Sequence, residues 1–311
     1  MKIIFIGTPE IAIPSLEILA DSKHEIACVI TQPDKASGRG QELKYSPVKK
    51  AAIELNLNII QPEKISDEKV VEQIKGINPD LLVVVAYAQK IPESLLNINY
   101  GCINIHPSLL PKYRGADPIR GPILNGDKTS GVTIMQMADK LDSGDILAQE
   151  ELELDEKETA FTLEPKLSQL GAKMLLNVLE KIENNEIKKI KQNDIESTYV
   201  SQISKQAGVI DFNNSASYIE RQVRALNPWP SAFTTFEGKT FKIWDADVLV
   251  KDEFDDEKNG SVVYADKKEV HIKCGQGILK INEVQLEGKK RMNIEEFLRG
   301  KKIERGFIFG E

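Results

Sequence analysis

Cysteine, histidine and long apolar runs are all scarce in this chain of 311 residues. Its three cysteines are widely spaced and form no CxxC pair, which argues against a disulfide framework and favours reduced thiols in the cytoplasm. Its three histidines fall in no HExxH or similar spacing, so we expect no metal site. No apolar run approaches the roughly 18 residues of a membrane span, and the short apolar N-terminus does not match a signal peptide.

An excess of positive charge is also missing. Lysine and arginine number 41 and aspartate and glutamate 48, so the formal charge is −7. This composition does not point to nucleic acid, although a basic face can coexist with a negative net charge. Arg221, Arg224 and Lys289–Arg291 are candidates for such a face. The length suits two domains, each large enough to bury its own core.

Strand and helix signals alternate over roughly the first 180 residues. Asp80–Ala86 is apolar after its first residue and predicts a central strand that is buried on both faces. We expect further strands at Lys2–Gly7, Glu25–Thr31, near Ile59, Cys102–Ile105, Gly131–Met137 and Asp145–Leu154. Thr8 is expected to cap the first helix with Pro9 at its first position, and Pro165 to begin or kink the helix at Glu158–Ile182. The alternation predicts an α/β fold with a Rossmann-like, doubly wound and mainly parallel sheet.

The composition and the apolar pattern of the sequence change towards its C-terminal third. Glu183–Gln206 is polar and rich in lysine, and we interpret it as a linker. After it, short alternating runs separated by Gly, Asn and Asp predict a small β-barrel with about five strands. These strands are expected at Thr234–Phe236, Thr240–Ala246, Gly260–Ala265, Glu269–Lys273 and Gly277–Val284. The predicted division is therefore a catalytic domain at 1–182, a linker at 183–206 and a second domain at 207–311.

Three polar side chains are candidates for a reaction centre. His106 ends a predicted strand and is followed by Pro107, which directs it to the carboxyl edge where open α/β sheets bind ligands. Asn104 lies two residues earlier, so strand alternation puts it on the same face. An amide and an imidazole side by side can donate to an oxyanion, and Asp142 in a nearby polar loop could orient the imidazole. The alternatives are a core histidine and two ordinary turn residues.

Two loops also stand out. Ser108–Pro111 is too apolar for an ordinary exposed loop, which suits either the lining for a flat aromatic ligand or a loop packed into its own core. Gln32–Pro47 is polar and sixteen residues long, a length that is usually functional when a domain is compact. No GxGxxG, P-loop or GxSxG motif is present, so the sequence offers no dinucleotide or nucleophilic-serine signature.

With these residues in view, the chain resembles the methionyl-tRNA formyltransferase family, a branch of the folate-dependent formyltransferases. The resemblance spans essentially the full length. It rests on GTPEIAIPSL, QPDKASGRG with SPVK, NIHPSLLPKYRGADPI, GVTIMQM, LDSGDIL, RALNPWPSAF and GKTFKIW. The SLLP signature is common to folate-dependent formyltransferases, whereas RALNPWP before a β-domain and the long early loop narrow the resemblance to the tRNA enzymes.

The resemblance implies a transferase that moves the formyl group of 10-formyltetrahydrofolate to the free α-amine of methionyl-initiator tRNA, for translation initiation. Asn104, His106 and Asp142 match the family's catalytic triad. Its folate-binding stretch corresponds to Ser108, Leu109, Leu110 and Pro111.

The resemblance also assigns a surface to the tRNA. Lys35 and Arg39 lie in the loop that approaches the acceptor stem, and Arg221 and Arg224 lie in the OB-like tRNA-binding domain. It implies no metal and no membrane, and we expect a monomer because no interface stripe is evident.

The chain departs from the family pattern at a few positions. Gln41 and Glu42 stand where the loop commonly has two basic residues, which weakens attraction for phosphate. Asp117 replaces a small residue and Ala88 replaces a glycine. Three alternatives remain: a formyltransferase for a small amine such as an amino-sugar nucleotide, a tRNA-binding relative without catalysis, and a folate hydrolase.

Overall fold

The computed structural model describes residues 1–37, 42–249, 254 and 256–310. Arg39 and Gln41, which the sequence assigns to the tRNA-facing loop, lie outside the described residues. The chain forms two compact units. The first contains Met1–Ile119, Thr129–Glu153 and Glu164–Ser201, and the second Arg120–Lys128, Leu154–Leu163 and Gln202–Glu311. Residues 183–201 thus belong to the first unit, and the domain limits at 182 and 207 stay a prediction.

The described residues contain strands and helices whose bounds follow in chain order. The strands are β1 (Lys2–Gly7), β2 (Glu25–Ile30), β3 (Lys35–Ser37), β4 (Glu42–Lys44), β5 (Ile59–Ile60), β6 (Leu81–Val85), β7 (Cys102–His106), β8 (Arg114–Gly115), β9 (Thr129–Gln136), β10 (Ile146–Glu153), β11 (Tyr199–Val200), β12 (Ala232–Phe236), β13 (Lys239–Leu249), β14 (Val262–Ala265), β15 (Val270–Lys273), β16 (Ile278–Leu286) and β17 (Met292–Asn293). The helices are α1 (Ile13–Ala20), α2 (Pro47–Glu54), α3 (Glu68–Ile77), α4 (Glu93–Leu96), α5 (Arg120–Asn125), α6 (Ala160–Glu183), α7 (Ala216–Ala225) and α8 (Ile294–Gly300).

The first unit is built on a seven-stranded sheet with the order β10-β9-β7-β6-β1-β2-β5. Strands β7, β6, β1, β2 and β5 are parallel, and β9 and β10 are antiparallel at one edge. Every residue of β6 is buried, which confirms the central strand. The carboxyl ends of β1, β6 and β7 therefore lie side by side at one edge of the sheet.

The predicted start of the first helix is wrong. The predicted helix start at Pro165 is also wrong, whereas the alternative of a kink at Pro165 stays a prediction. A short 3-10 turn at Glu10–Ala12 precedes α1, and the Thr8 hydroxyl accepts a hydrogen bond from the Gln32 backbone N–H instead of capping a helix. Pro165 lies inside α6, which begins at Ala160. Buried side chains at Leu163 and Leu167 continue the apolar face across the proline, and their burial outweighs the hydrogen bond that it removes.

The second unit contains an antiparallel sheet with the order β12-β13-β16-β15-β14, and β17 pairs with β16. Its five predicted strands are confirmed. Helix α7 begins after Ser215, whose hydroxyl accepts a hydrogen bond from the backbone N–H of Tyr218. Phe236 and Phe241 pack at the centre of the core with ring centroids 5.6 Å apart.

Candidate active site

A cavity of about 1430 Å³ opens at the carboxyl edge of the first unit's sheet. Its lining includes residues that directly follow β1, β6 and β7, namely Thr8, Ala86 and Pro107. Asn104, His106 and Asp142 all line it as well. The structure therefore brings together the three side chains that the sequence singles out, at the edge where open α/β sheets bind ligands.

His106 is fixed by a backbone carbonyl. The residue is 4% exposed, and its Nε2 lies 3.0 Å from the carbonyl oxygen of Tyr113. A carbonyl oxygen can only accept, so Nε2 carries the hydrogen and donates it. In the neutral ring Nδ1 is then the atom that gains or loses a proton, and it lies 3.9 Å from Oδ2 of Asp142.

Asp142 is held in an unusual backbone conformation. Its φ of 48° lies in the left-handed region, which residues other than glycine rarely adopt. Its Oδ2 accepts a hydrogen bond of 2.8 Å from the backbone N–H of Gly115. This carboxylate is placed where it stabilises a protonated His106 ring.

Asn104 is half-buried in β7, between β6 and β9. Because it lies two residues before His106, the two side chains project from the same face of the strand. The site therefore combines an amide that can donate, an imidazole that can exchange protons and a carboxylate that can stabilise an imidazolium. These are the parts that transfer of an acyl group to an amine requires.

The stretch from Ser108 to Pro111 lies outside the cavity lining, although Pro107 before it is part of that lining. The backbone N–H of Leu110 donates to Thr133 Oγ1 at 3.1 Å, and that hydroxyl donates to the carbonyl of Ser108 at 2.7 Å. Leu110 packs with Met135 in a small core cluster. This geometry matches the interpretation of a loop packed into its own core, and direct contact of the stretch with folate stays a prediction.

Sequence reasoning missed the segment Ala86–Lys90, which follows β6 and lines the cavity. Tyr87 within it is 2% exposed, and its hydroxyl has no hydrogen-bond partner among the described residues. Burial raises the pKa of this hydroxyl to about 12, so it is a donor at neutral pH. The sequence offered a signal for it, because this segment follows a buried strand at the same edge of the sheet as His106.

The basic residues assigned to tRNA lie in different surroundings. Lys35 lies in β3 and lines the cavity. Arg221 lies beside Gly126 in the second unit. Arg224 donates from Nε to Glu220 Oε1 at 2.8 Å, so its charge is largely balanced within the unit.

The described residues contain no cluster of three or more His, Cys, Asp or Glu side chains arranged to hold a metal ion. None of the described helices combines the length and the apolar character needed to cross a membrane.

Comparisons with known proteins identify the family. Residues 1–179 match the formyl transferase family, and residues 202–302 match the formyl transferase C-terminal domain. A methionyl-tRNA formyltransferase from Lachnospira eligens is 48% identical, and the match covers 100% of both chains. One from Coxiella burnetii is 46% identical over 96% of this chain and 95% of its own.

Solved structures share the fold. WlaRD, a sugar 3N-formyl transferase, matches with a TM-score of 0.67 and 25% identity over 93% of this chain and 99% of its own. HypX from Aquifex aeolicus, solved with tetrahydrofolic acid, matches with a TM-score of 0.63 and 18% identity over 99% of this chain and 50% of its own. The chain belongs to the methionyl-tRNA formyltransferase family of the formyl transferases.

Proposed function

We propose that this chain transfers the formyl group of 10-formyltetrahydrofolate to the α-amine of methionyl-initiator tRNA. The observation that carries the proposal is the arrangement of Asn104, His106 and Asp142 around one cavity in a chain that is 48% identical to a methionyl-tRNA formyltransferase over its full length. The product is N-formylmethionyl-tRNA, the species that starts translation.

The size and the lining of the cavity support folate binding. Its volume of about 1430 Å³ exceeds what a drug-sized ligand needs. Apolar side chains of Val84, Ile91 and Met137 line it, which suits a flat ring system. The buried Tyr87 hydroxyl has no hydrogen-bond partner among the described residues, so it can donate to a ligand. We propose that Ala86–Lys90 hold the folate and that Ser108, Leu109, Leu110 and Pro111 support the site by fixing Pro107.

When bound, the folate supplies a formyl group that is already activated for transfer. The Asn104 amide donates to the formyl oxygen as negative charge develops there, an effect worth about 3–4 kcal/mol for one good donor. His106 Nδ1 takes a proton from the attacking amine and returns it to the departing nitrogen, and such help is worth about 10²–10⁴-fold in rate. Asp142 stabilises the ring while it is protonated. The Tyr113 carbonyl keeps Nδ1 as the atom that exchanges the proton.

We propose that basic residues of both units select the acceptor. We propose that Lys35 at the cavity and Arg39 contact the acceptor stem, and that Arg221 adds a contact in the second unit. Arg224 contributes less, because Glu220 balances its charge. We also propose that the enzyme acts as a monomer in the cytoplasm.

The direct test offers 10-formyltetrahydrofolate with charged initiator and elongator Met-tRNA in parallel. Formylation of the initiator alone is the expected result. Transfer to an amino-sugar nucleotide in place of tRNA would redirect the proposal to a small acceptor. Formate release without any acceptor would indicate a folate hydrolase, and tRNA binding without transfer would indicate a non-catalytic relative.

A further inference from the structure

Three consecutive residues hold both partners of the His106–Asp142 pair. The Tyr113 carbonyl accepts the hydrogen bond from His106 Nε2 at 3.0 Å. The backbone N–H of Gly115 donates to Asp142 Oδ2 at 2.8 Å. Arg114 lies between them and is completely buried. One short stretch of backbone therefore sets the orientation of the ring and the position of the carboxylate.

This backbone is attached to a distant part of the chain. The Tyr113 N–H donates to Thr198 Oγ1 at 2.8 Å, and the Arg114 N–H donates to the Thr198 carbonyl at 2.9 Å. Strands β8 and β11 pair in parallel, with Gly115 opposite Val200. A Cβ on Gly115 would lie 2.3 Å from the carbonyl oxygen of Val200, so only glycine allows this approach.

The Arg114 side chain binds the same distant segment of the chain. Its Nε and Nη2 donate to Gln192 Oε1 at 3.1 and 2.7 Å. Its Nη2 also lies 2.8 Å from Asp194 Oδ1, and its Nη1 donates to the Tyr199 hydroxyl at 3.2 Å. The guanidinium lowers the pKa of the Asp194 carboxyl. A buried guanidinium is unfavourable unless it is paired in this way, so its donors are committed to residues 192–199.

Gln192 connects the Arg114 guanidinium to the backbone of Asp142. Its Nε2 donates to the carbonyl of Asp142 at 2.9 Å and to the carbonyl of Gly144 at 2.7 Å. The guanidinium of Arg114 can only donate and the carbonyls can only accept, so the amide has one possible orientation. Gln192 is 7% exposed, and water therefore offers its amide little competition.

The loop that receives these bonds is one that needs external support. Asp142 adopts a left-handed conformation that most residues avoid. A Cβ on Gly144 would lie 1.7 Å from the Gln136 carbonyl oxygen, so the loop backbone is pressed against the end of β9. Such conformations persist where surrounding contacts over-determine them.

We infer that Gln192, oriented by Arg114, is a positioning residue for formyl transfer. It fixes the backbone of Asp142, so that the carboxylate stays at the distance from His106 at which it stabilises the imidazolium. The inference rests on the proposed function, because that function gives Asp142 its part in the reaction. It also assigns a task to the segment that the sequence interprets as a linker.

The test compares four proteins: the wild type, Gln192→Glu, Asp142→Asn and the double variant. Gln192→Glu keeps the size of the side chain and its contact with Arg114. It replaces the two donated hydrogen bonds by a carboxylate oxygen that cannot donate and that repels the carbonyls of Asp142 and Gly144. We expect kcat to fall about 10- to 100-fold with both KM values near those of the wild type. Since Gln192 acts through Asp142, the double variant should be no slower than Asp142→Asn alone.

Gln222 supplies the matched control in the second unit. It is also a buried glutamine that donates to two backbone carbonyls, those of Ala207 at 2.8 Å and Val209 at 3.2 Å. Gln222→Glu should lower the melting temperature while leaving kcat near the wild-type value. The inference is overturned if Gln192→Glu has wild-type kcat, or if its effect multiplies with that of Asp142→Asn.

Two further measurements distinguish a failure of this inference from a failure of the proposed function. If Gln192→Glu does not fold, Arg114→Lys replaces it, because lysine keeps the charge but cannot donate from two nitrogens to Oε1. Hydrogen exchange at amides 140–145 gives a result that does not depend on the reaction. It should quicken in the Gln192 variant and not in the Gln222 variant, and unchanged exchange would overturn the inference whichever acceptor the wild type uses. Absence of transfer by the wild type would instead overturn the proposed function.

Discussion

At the scale of single residues, two alanines that line the cavity hold left-handed backbone conformations. Ala86 has a φ of 49° and Ala88 a φ of 64°. For a residue with a Cβ, this conformation costs about 1–2 kcal/mol. The family pattern has glycine at the position of Ala88, where a glycine relieves the strain. Strain of this kind beside a binding site is consistent with a segment held in place for a ligand.

We therefore predict that Ala88→Gly stabilises the protein by about 0.5–1 kcal/mol, since relief of the strain exceeds the added chain entropy of glycine. The apparent urea midpoint of unfolding measures it. Ala51→Gly in α2 is the control, and there the same exchange should cost about 1 kcal/mol or more, since Ala51 is also buried. Equal losses of stability in the two variants would contradict the explanation that backbone strain at Ala88 is relieved by glycine.

His24 gives the stability a dependence on pH. It is 9% exposed, and this burial lowers its pKa from the ordinary value of 6.5. Between the folded and unfolded pKa values the unfolded chain binds more protons, so stability falls as the pH drops below 6.5. Glu183 acts in the same direction at lower pH, because its hydrogen bond with Lys23 lowers its pKa from 4.5.

We predict that His24→Gln reduces the loss of stability between about pH 7.5 and pH 5.5. Urea midpoints of the two proteins at both pH values provide the measurement. A loss in the variant as large as that in the wild type would show that other groups govern this range.

At the scale of elements, the two-stranded ladder of β8 and β11 holds part of the candidate site in place. It supplies the Gly115 N–H that holds Asp142, and its close approach depends on the absence of a Cβ at that glycine. The φ of Gly115 is 115°, a region that other residues rarely enter.

We predict that Gly115→Ala destabilises the first unit by about 2 kcal/mol or more and reduces formyl transfer, because the new methyl group pushes Val200 away. Thermal unfolding and initial rates measure the two effects. Gly76→Ala is the control, since a Cβ there meets nothing within 4 Å. Wild-type activity in Gly115→Ala would contradict the role given to the ladder.

The elements that could be predicted are those with a long, regular pattern. Apolar runs predict β1 and β6, and alternation predicts that Asn104 and His106 share a face. The ladder of β8 and β11 has two residues in each strand and no periodicity, so its signal is too short to detect. Gln192 lies in a polar segment, and its contact with Asp142 arises only when the chain folds back. The Tyr113 carbonyl is a backbone group, so no residue type in the sequence indicates its contact with His106.

At the scale of the whole molecule, a net charge of −7 must be reconciled with a polyanionic substrate. Binding of tRNA then depends on a few cations at the site rather than on overall charge. Lys35 lines the cavity and is one of the cations that we propose for this contact, whereas Lys23 lies 2.8 Å from Glu183 in an ion pair.

We predict that Lys35→Ala weakens binding of initiator tRNA and reduces the slope of log K against log salt by about one. Titrations at several salt concentrations measure the slope. Lys23→Ala, which removes a paired lysine, should leave it unchanged. If both variants kept the wild-type slope, the proposed contact between Lys35 and the tRNA would be wrong.

The central claim is that His106 transfers protons during formyl transfer in this cavity. Its most direct test is the single-turnover rate of His106→Asn with saturating 10-formyltetrahydrofolate and methionyl-initiator tRNA. The account predicts a fall of about 100-fold or more, with both substrates bound as tightly as by the wild type. A rate close to that of the wild type would contradict it and would move the chemistry away from the His106–Asp142 pair.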